Sequence, residues 1–290
     1  MERLSEGGVP GGWAAEGTAE EAARLRAEVR DLRAQIRSRP LISHAQGILQ
    51  ERYRLPDADS AFTLLRHSSQ RYNVKLRVLA GAVVRTPRPD GPADLWFPGR
   101  VRGKPPRLDM VGVDDPGHVN RGAVLGALLS QTLAITGTDM GNVQISDPAA
   151  GGLRLEQHTG HSAHFVEFFA FVGEDGTSCA KAAKNVELTT VHDVATDTVF
   201  TEEARHTILA AGSRACHSVP LVSASGACLG IVSAHLERPT KALHPVQAKA
   251  LAATGRQVGS WLAWHEHTVV LDALEYLHAL GRSGGAEPDG

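Results

Sequence analysis

The sequence predicts a multi-domain protein: a short N-terminal coiled coil and a three-helix, all-α bundle, followed by an α+β domain with a central antiparallel sheet. Three observations carry this. Up to about residue 85, apolar side chains recur every three or four positions, the period of amphipathic helices. From 87 to 119, Pro and Gly punctuate the chain throughout, as in a linker. Beyond 120, short alternating runs come in pairs near the start and the end with helical stretches between them, the pattern of a sheet covered by helices. A chain of 290 residues has room for about two such domains at roughly 150 residues each.

Composition excludes several classes. The net charge of −2 gives no global attraction to nucleic acid or membrane, so charge has to be read locally. Cys179, Cys216 and Cys228 form no CxxC pair and no secreted-type framework, which fits a reducing compartment. The opening MERLSEGGVPGGWAAEG has no apolar signal stretch, and no run approaches the eighteen or so apolar residues of a membrane span. A cytoplasmic protein with no membrane partner is expected.

In chain order, residues 1–18 are Gly-rich and without period, a disordered tail. In 19–38, Ala22, Leu25, Val29, Leu32 and Ile36 form a heptad seam with charges between. It is too short to be stable alone, so pairing with a second copy is expected and the chain should be a homodimer. Pro40 starts a fresh helix. Residues 39–86 then read as three short helices. The first, in PLISHAQGILQERY, has Leu41, Ala45, Ile48 and Leu49 on one face, and Gly47 to let another helix or backbone come close. The second has Asp57 as N-cap and Ala61, Phe62 and Leu65 as its stripe. The third has Asn73 as cap, with Leu76, Leu79, Ala80 and Val83 inward. Trp96 and Phe97 are out of place in a linker and should dock on a neighbouring domain.

The α+β part, 120–268, reads as a helix at RGAVLGALLSQTLAITG and strands at GNVQISD and LRLEQH across the turn PAAGG. A helix at SAHFVEFFAFV, a strand at VELTTVHDV and a helix at TEEARHTILAAG follow. A hairpin of RACHSVPLV and ACLGIVSAHL joined by SASG comes next, and a long helix over 244–266 closes the unit. Residues 269–290 read as a C-terminal helix and tail.

The helical part resembles the ANTAR domain, the RNA-binding output module of bacterial antitermination regulators. The residues carrying this are Ala45, Gly47 and Leu49, then Ala61, Phe62, Leu65 and Arg66, then Asn73, Lys75 and Leu76. Charge agrees independently. Arg39, Arg52, Arg54, Arg66, Arg71, Lys75, Arg77, Arg85 and Arg88 face only Glu51, Asp57 and Asp59, the footprint of a polyanion partner. On composition alone DNA remains open. The resemblance implies paired RNA hairpins in a leader transcript, whose unpaired loops can be read by stacking and by base edges. It places RNA contacts at Gln46, Arg52, Arg66, Asn73, Lys75 and Arg77, with Tyr53 or Tyr72 available to stack. The family carries Lys after the first Ala. Gln46 stands there instead, keeping hydrogen bonding but not charge.

Residues from about 121 to 267 resemble a GAF domain, a small-molecule-sensing fold, through TGTDMGNVQISDPAAGGLRLEQHTG, FFAFVGEDGTSCAKAA, VHDVATDTVF and SRACHSVPLVSASGACLGIVSAHLERP. The resemblance implies a small-molecule ligand without naming it. His158, His161 and His164 lie three apart near Glu156, but the glycine at 160 breaks a regular metal-binding face, so a polar cluster is expected and no metal. Cys216-His217 sits in a strand whose alternation sends the two side chains to opposite faces, which argues against a bilin chromophore. Cys179, in GTSCAKAA, resembles the thiol of GAF-fold methionine sulfoxide reductases, but that family's upstream cysteines are missing. No phosphate-cradling loop, HExxH or Gly-x-Ser-x-Gly is present. The expectation is a signal-responsive antitermination regulator with no catalytic residue and no cofactor. The alternatives are a sensor whose bundle binds another protein and, more weakly, a thiol reductase using Cys179. Because the helical module comes first, a helix at the end of the sensor should have no route into it, which leaves the linker or dimer geometry to carry a signal.

Overall fold

The computed structural model describes residues 21, 40–89, 95–110 and 112–284. The expected tail and coiled coil lie outside the described residues, Glu21 excepted.

Three helices form as the periodicity requires. Helix α1 covers residues 40–53, with Pro40 in its first turn where no N–H is needed, and it buries Ala45 and Leu49. Helix α2, Ala58–Arg71, is capped by Asp57, whose carboxylate accepts from Ser60 N at 2.7 Å. Helix α3, Leu76–Arg85, buries Leu79, Ala80 and Val83. Asn73 is not its cap. The residue before α3 is Lys75, which makes no side-chain cap bond, while Asn73 takes a left-handed conformation at φ 49° in the α2–α3 turn. Asn tolerates that conformation better than most side chains, so the turn rather than the helix end selects it. The turn is tied by Ser69 Oγ donating to Val74 O at 2.6 Å and by Val74 N donating to Ser69 O at 3.0 Å.

The α+β part is a six-stranded sheet ordered β3-β2-β1-β6-β5-β4, with every neighbouring pair antiparallel. Its strands are β1 Met140–Asp147, β2 Gly152–Thr159, β3 Phe171–Val172, β4 Thr189–Val191, β5 Ala215–Val222 and β6 Cys228–Leu236. Helices α4, Arg121–Thr136, and α8, Pro245–His265, cover one face, where Val143, Ile145, Val219, Leu221 and Val232 meet Leu125, Leu128, Val258 and Trp261. Helix α8 crosses β5 unusually closely. A Cβ on Gly255 would lie 2.5 Å from Pro220 O, and one on Gly259 2.3 Å from Val222 O. Helices α5, Ala163–Phe168, α6, Ser178–Asn185, and α7, Glu202–Ala210, cover the other face.

Two segments differ from the sequence reading. SAHFVEFFAFV is helical only to Phe168, and Phe171–Val172 turns back to pair with Leu153 and Arg154 of β2. The chain at GTSCAKAA, assigned no element, is helix α6, started by Thr177 accepting from Ala180 N at 3.1 Å. Both pieces are too short for periodicity to arbitrate.

The largest correction concerns the C-terminus. Helix α8 runs through a π turn, Glu266–Val270, into α9, Leu271–Arg282, and α9 joins the N-terminal bundle as its fourth helix. Leu274 and Leu277 are wholly buried in one cluster with Leu49, Leu65 and Leu79. Ser68 Oγ donates to Ala273 O, and Tyr53 OH lies 2.9 Å from His278 Nδ1. A continuous helical path therefore does lead from the sheet into the bundle. Trp96 and Phe97 dock on this same body. Their backbone N–H groups donate to the Glu275 carboxylate at 2.8 and 2.7 Å, and Trp96 Nε1 donates to Pro87 O at 2.8 Å. Further along, Leu108, Met110 and Val113 pack into the core under α8.

Candidate nucleic-acid interface and sensor cluster

The sequence-derived RNA residues fall in different places. Gln46 Nε2 donates to Ala58 O at 2.9 Å, bracing α1 against the start of α2. Arg66 is exposed on α2, and Asn73 is exposed in its turn. Arg52 lies over the Trp96 ring at 4.5 Å, with Nη1 buried and without a hydrogen-bond partner among the described residues.

At the start of α3, Arg77 is largely covered by the sheet, with 19% of its side chain exposed, and Lys75 reaches a sheet carboxylate with its tip while 61% of its side chain stays in solvent. Lys75 Nζ pairs with Glu156, and Arg77 bridges Asp147 Oδ2 and Glu156 Oε1 at 2.9 Å each. Asp147 also takes Arg154 Nη2 at 2.7 Å. For both carboxyls burial alone would raise the pKa. At Asp147 the Arg154 hydrogen bond and the Arg154 and Arg77 charges outweigh it, and at Glu156 the Arg121 charge together with Lys75 and Arg77 does so, holding both below the usual carboxylate range. Nothing in the sequence points to these partners, which lie 70 to 81 positions away.

Elsewhere on the bundle, Arg54 and Arg88 are exposed. A concavity of about 840 Å³ is lined by Ser43, His44, Gly47, Ile48 and Glu51 of α1, by Arg52, Tyr53 and Arg54 at its end, by Arg88 and Pro89, and by His278 and Arg282 of α9. The expectation that Gly47 lets another helix approach is not met. A Cβ there would meet nothing within 4 Å, so no packing inside the described chain asks for glycine. The α9 contribution was invisible in the sequence because α9 joins the bundle only in the folded chain.

In the sheet domain, buried polar groups gather beneath α5. Asn142 Oδ1, Gln144 Oε1 and both ring nitrogens of His161 are buried without a partner among the described residues. The His161 ring stacks on Phe165 at 3.8 Å and meets His235 edge-on at 4.8 Å. Burial, then the neighbouring His158, pushes His161 down to about 4, and burial, then His161, pushes His235 down to about 3. His158 and His164 are exposed and do not close on His161 as a set. Cys179 is buried in a hydroxyl network, 3.3 Å from Ser233 Oγ, while Cys216 lies 3.3 Å from Ser178 Oγ. Burial raises the Cys179 thiol and carries Cys216 to about 12, so both stay protonated. His217 turns away from Cys216 and meets Thr190 Oγ1 at 2.9 Å. Among the described residues no helix is long and apolar enough to cross a membrane.

Comparison with known proteins agrees with this geometry. The ANTAR domain family matches residues 30–84 and the GAF domain family residues 120–261. No curated protein matches the chain. Among solved structures, the GAF domain of an Acinetobacter phosphoenolpyruvate-protein phosphotransferase is 14% identical, covers 52% of this chain and 86% of its own, and has a TM-score of 0.43. A GAF domain/HD domain protein from Geobacter sulfurreducens is 15% identical, with 52% and 96% covered and a TM-score of 0.43. Free methionine-R-sulfoxide reductase from Neisseria meningitidis, in complex with its substrate, is 17% identical, with 53% and 83% covered and a TM-score of 0.40. None of the three lends this chain its chemistry. The chain carries an ANTAR domain followed by a GAF domain, a pairing that supports an RNA-binding antitermination regulator with a sensor domain.

Proposed function

We propose that this protein binds paired hairpins of a leader transcript as a homodimer and that a small molecule held by the GAF domain controls the binding. The observation that carries the RNA reading is the open cationic concavity beside Gly47. Glycine in a helix interior costs about 1 kcal/mol relative to alanine. With no neighbour among the described residues to require it, we take a surface that comes from outside as the reason for keeping the position bare. His44, Arg54 and Arg88 at the rim suit the phosphates of a hairpin loop, and the bare backbone suits an unstacked base. A second copy, paired through the heptad seam, makes the second hairpin contact intramolecular and raises avidity.

The sensor reading rests on the partnerless polar atoms of Asn142, Gln144 and His161. Buried polar groups are normally satisfied, and a small polar ligand on the α5 side of the sheet would satisfy these. The chain acts as a regulator rather than an enzyme. Among the described residues Cys179 meets hydroxyls and no base or cation that would make a thiolate, and burial raises its pKa.

The test is titration of a two-hairpin RNA across a salt series with the intact protein, Gly47→Leu and Arg66→Ala. Binding that prefers two hairpins to one, weakens steeply with salt and is lost in the folded Gly47→Leu protein is the expected result. Binding that ignores hairpin number and the Gly47 side chain sinks the proposal.

A further inference from the structure

The contact between α3 and the sheet joins two separate cores. The bundle core, with α9, and the core beneath α4 and α8 are distinct clusters. The seam between them is charged and incompletely filled. Besides the pairs at Lys75 and Arg77, it holds an exposed Arg85–Glu266 pair at 2.9 Å and a cavity of about 110 Å³ bounded by Leu41, Arg77, Gly81, Arg121, Pro148 and His265. The covalent bridge at this seam is the π turn Glu266–Val270, a helix irregularity of the kind that marks functional sites.

Arg77 spans two carboxylates with its two terminal nitrogens, as a guanidinium spans phosphate oxygens, and Lys75 sits on the second of them. Resting on the RNA-binding reading of the bundle, we propose that these two carboxylates are an internal mimic of RNA phosphate, and that the sensor withholds Lys75 and Arg77 from RNA until the bundle and α9 swing away together.

Each carboxylate keeps a cation of its own if the seam opens. Asp147 retains Arg154, which reaches it through Nε at 3.0 Å and Nη2 at 2.7 Å. Glu156 lies in the field of Arg121, whose Nε is buried without a hydrogen-bond partner among the described residues. Opening therefore leaves Asp147 paired with Arg154 and Glu156 in the field of Arg121, so neither carboxylate loses every nearby cation, which keeps the open state within reach of a two-state contact. RNA and the sensor compete for the same two side chains. A ligand that favours the closed seam weakens RNA binding, and one that favours the open seam strengthens it.

The experiment compares the intact protein with Asp147→Asn/Glu156→Gln in hairpin binding over a salt series. Freeing two cations steepens the dependence of log affinity on log salt by about 1.5, so the variant's advantage shrinks by about eightfold between roughly 50 and 200 mM salt. Adding Lys75→Ala/Arg77→Ala abolishes that advantage. Hydrogen exchange on the unsubstituted protein gives an independent reading: saturating RNA speeds exchange in the 148–151 turn and around the 266–270 π turn. A folded variant with unchanged affinity and slope overturns the masking proposal while the RNA reading stands. So does RNA that binds the unsubstituted protein and leaves exchange at both turns unchanged. If neither protein binds hairpins, both readings fall.

Discussion

Two groups of cations on one small bundle are held in opposite ways. Lys75 and Arg77, at the start of α3, are locked to carboxylates of the sheet, with Asp147 and Glu156 only 6% and 3% exposed. Arg54, at the end of α1, and Arg88, just after α3, line an open concavity. Sequence treats the two groups alike, as positive residues near a family motif. What separates them is the position of the sheet and of α9, and the difference teaches that a cationic surplus identifies a partner class without saying which of its members are available.

The comparison breaks most sharply at Arg77. Replacing it with Glu sets a third negative charge against Asp147 and Glu156 and should cost about 3–5 kcal/mol, the range for disrupting a buried pair. Calorimetry should then show the bundle and the sheet domain melting separately. A single unshifted transition would mean the seam contributes little. Next is Leu274→Ala, which empties a wholly buried site where α9 meets the bundle and should cost about 3 kcal/mol. Far-UV circular dichroism in urea would report it. A loss confined to the sheet domain would show that α9 does not belong to the bundle.

A third prediction uses pH. Burial pushes His161, His217 and His265 down to about 4 and His235 to about 3, so these rings are neutral in the fold. Unfolded imidazole takes its proton near 6.5. Below that pH the unfolded chain binds more protons than the folded one, so the contribution of these rings is complete above 6.5 and is lost as pH falls towards 4. The sheet domain, which holds all four, should therefore lose stability across that window. His235→Gln should flatten the dependence, and a melting temperature level from pH 7 to 5 would contradict it.

The smallest effects sit at the open cations. Gly47→Ala has room for its Cβ and should stabilise by about 1 kcal/mol, measured by urea denaturation. A destabilised variant would mean that something packs on Gly47 after all. Arg54→Ala and Arg88→Ala, both exposed, should leave stability within about 0.5 kcal/mol while each lowers the RNA salt slope by about 1. Equal slopes with and without these arginines would remove the concavity from the RNA surface.

Much of the architecture was written locally. Periodicity of three and four placed Ala45, Leu49, Ala61, Leu65, Leu79 and Val83 inward, and all six are buried. Alternation and turn residues marked β1, β2, β5 and β6, and Asp57 and Pro40 signalled helix starts because capping and missing N–H groups act within a few residues. What failed was short or distant. Helix α6 and strand β3 are too brief for a period. Asn73 was assigned to a helix end because a capping residue and a left-handed turn residue look the same in one dimension.

The sequence by itself therefore determined the two domains and their order, since amphipathic helices and alternating strands need only nearest neighbours along the chain. Only the tertiary structure decided that α9 completes the first domain, that Gly47 faces open space, and that Lys75 and Arg77 are met by Asp147 and Glu156. The physical reason is separation. Ion pairs and helix contacts between residues 70 to more than 200 positions apart depend on how whole elements pack, and no local pattern records that distance.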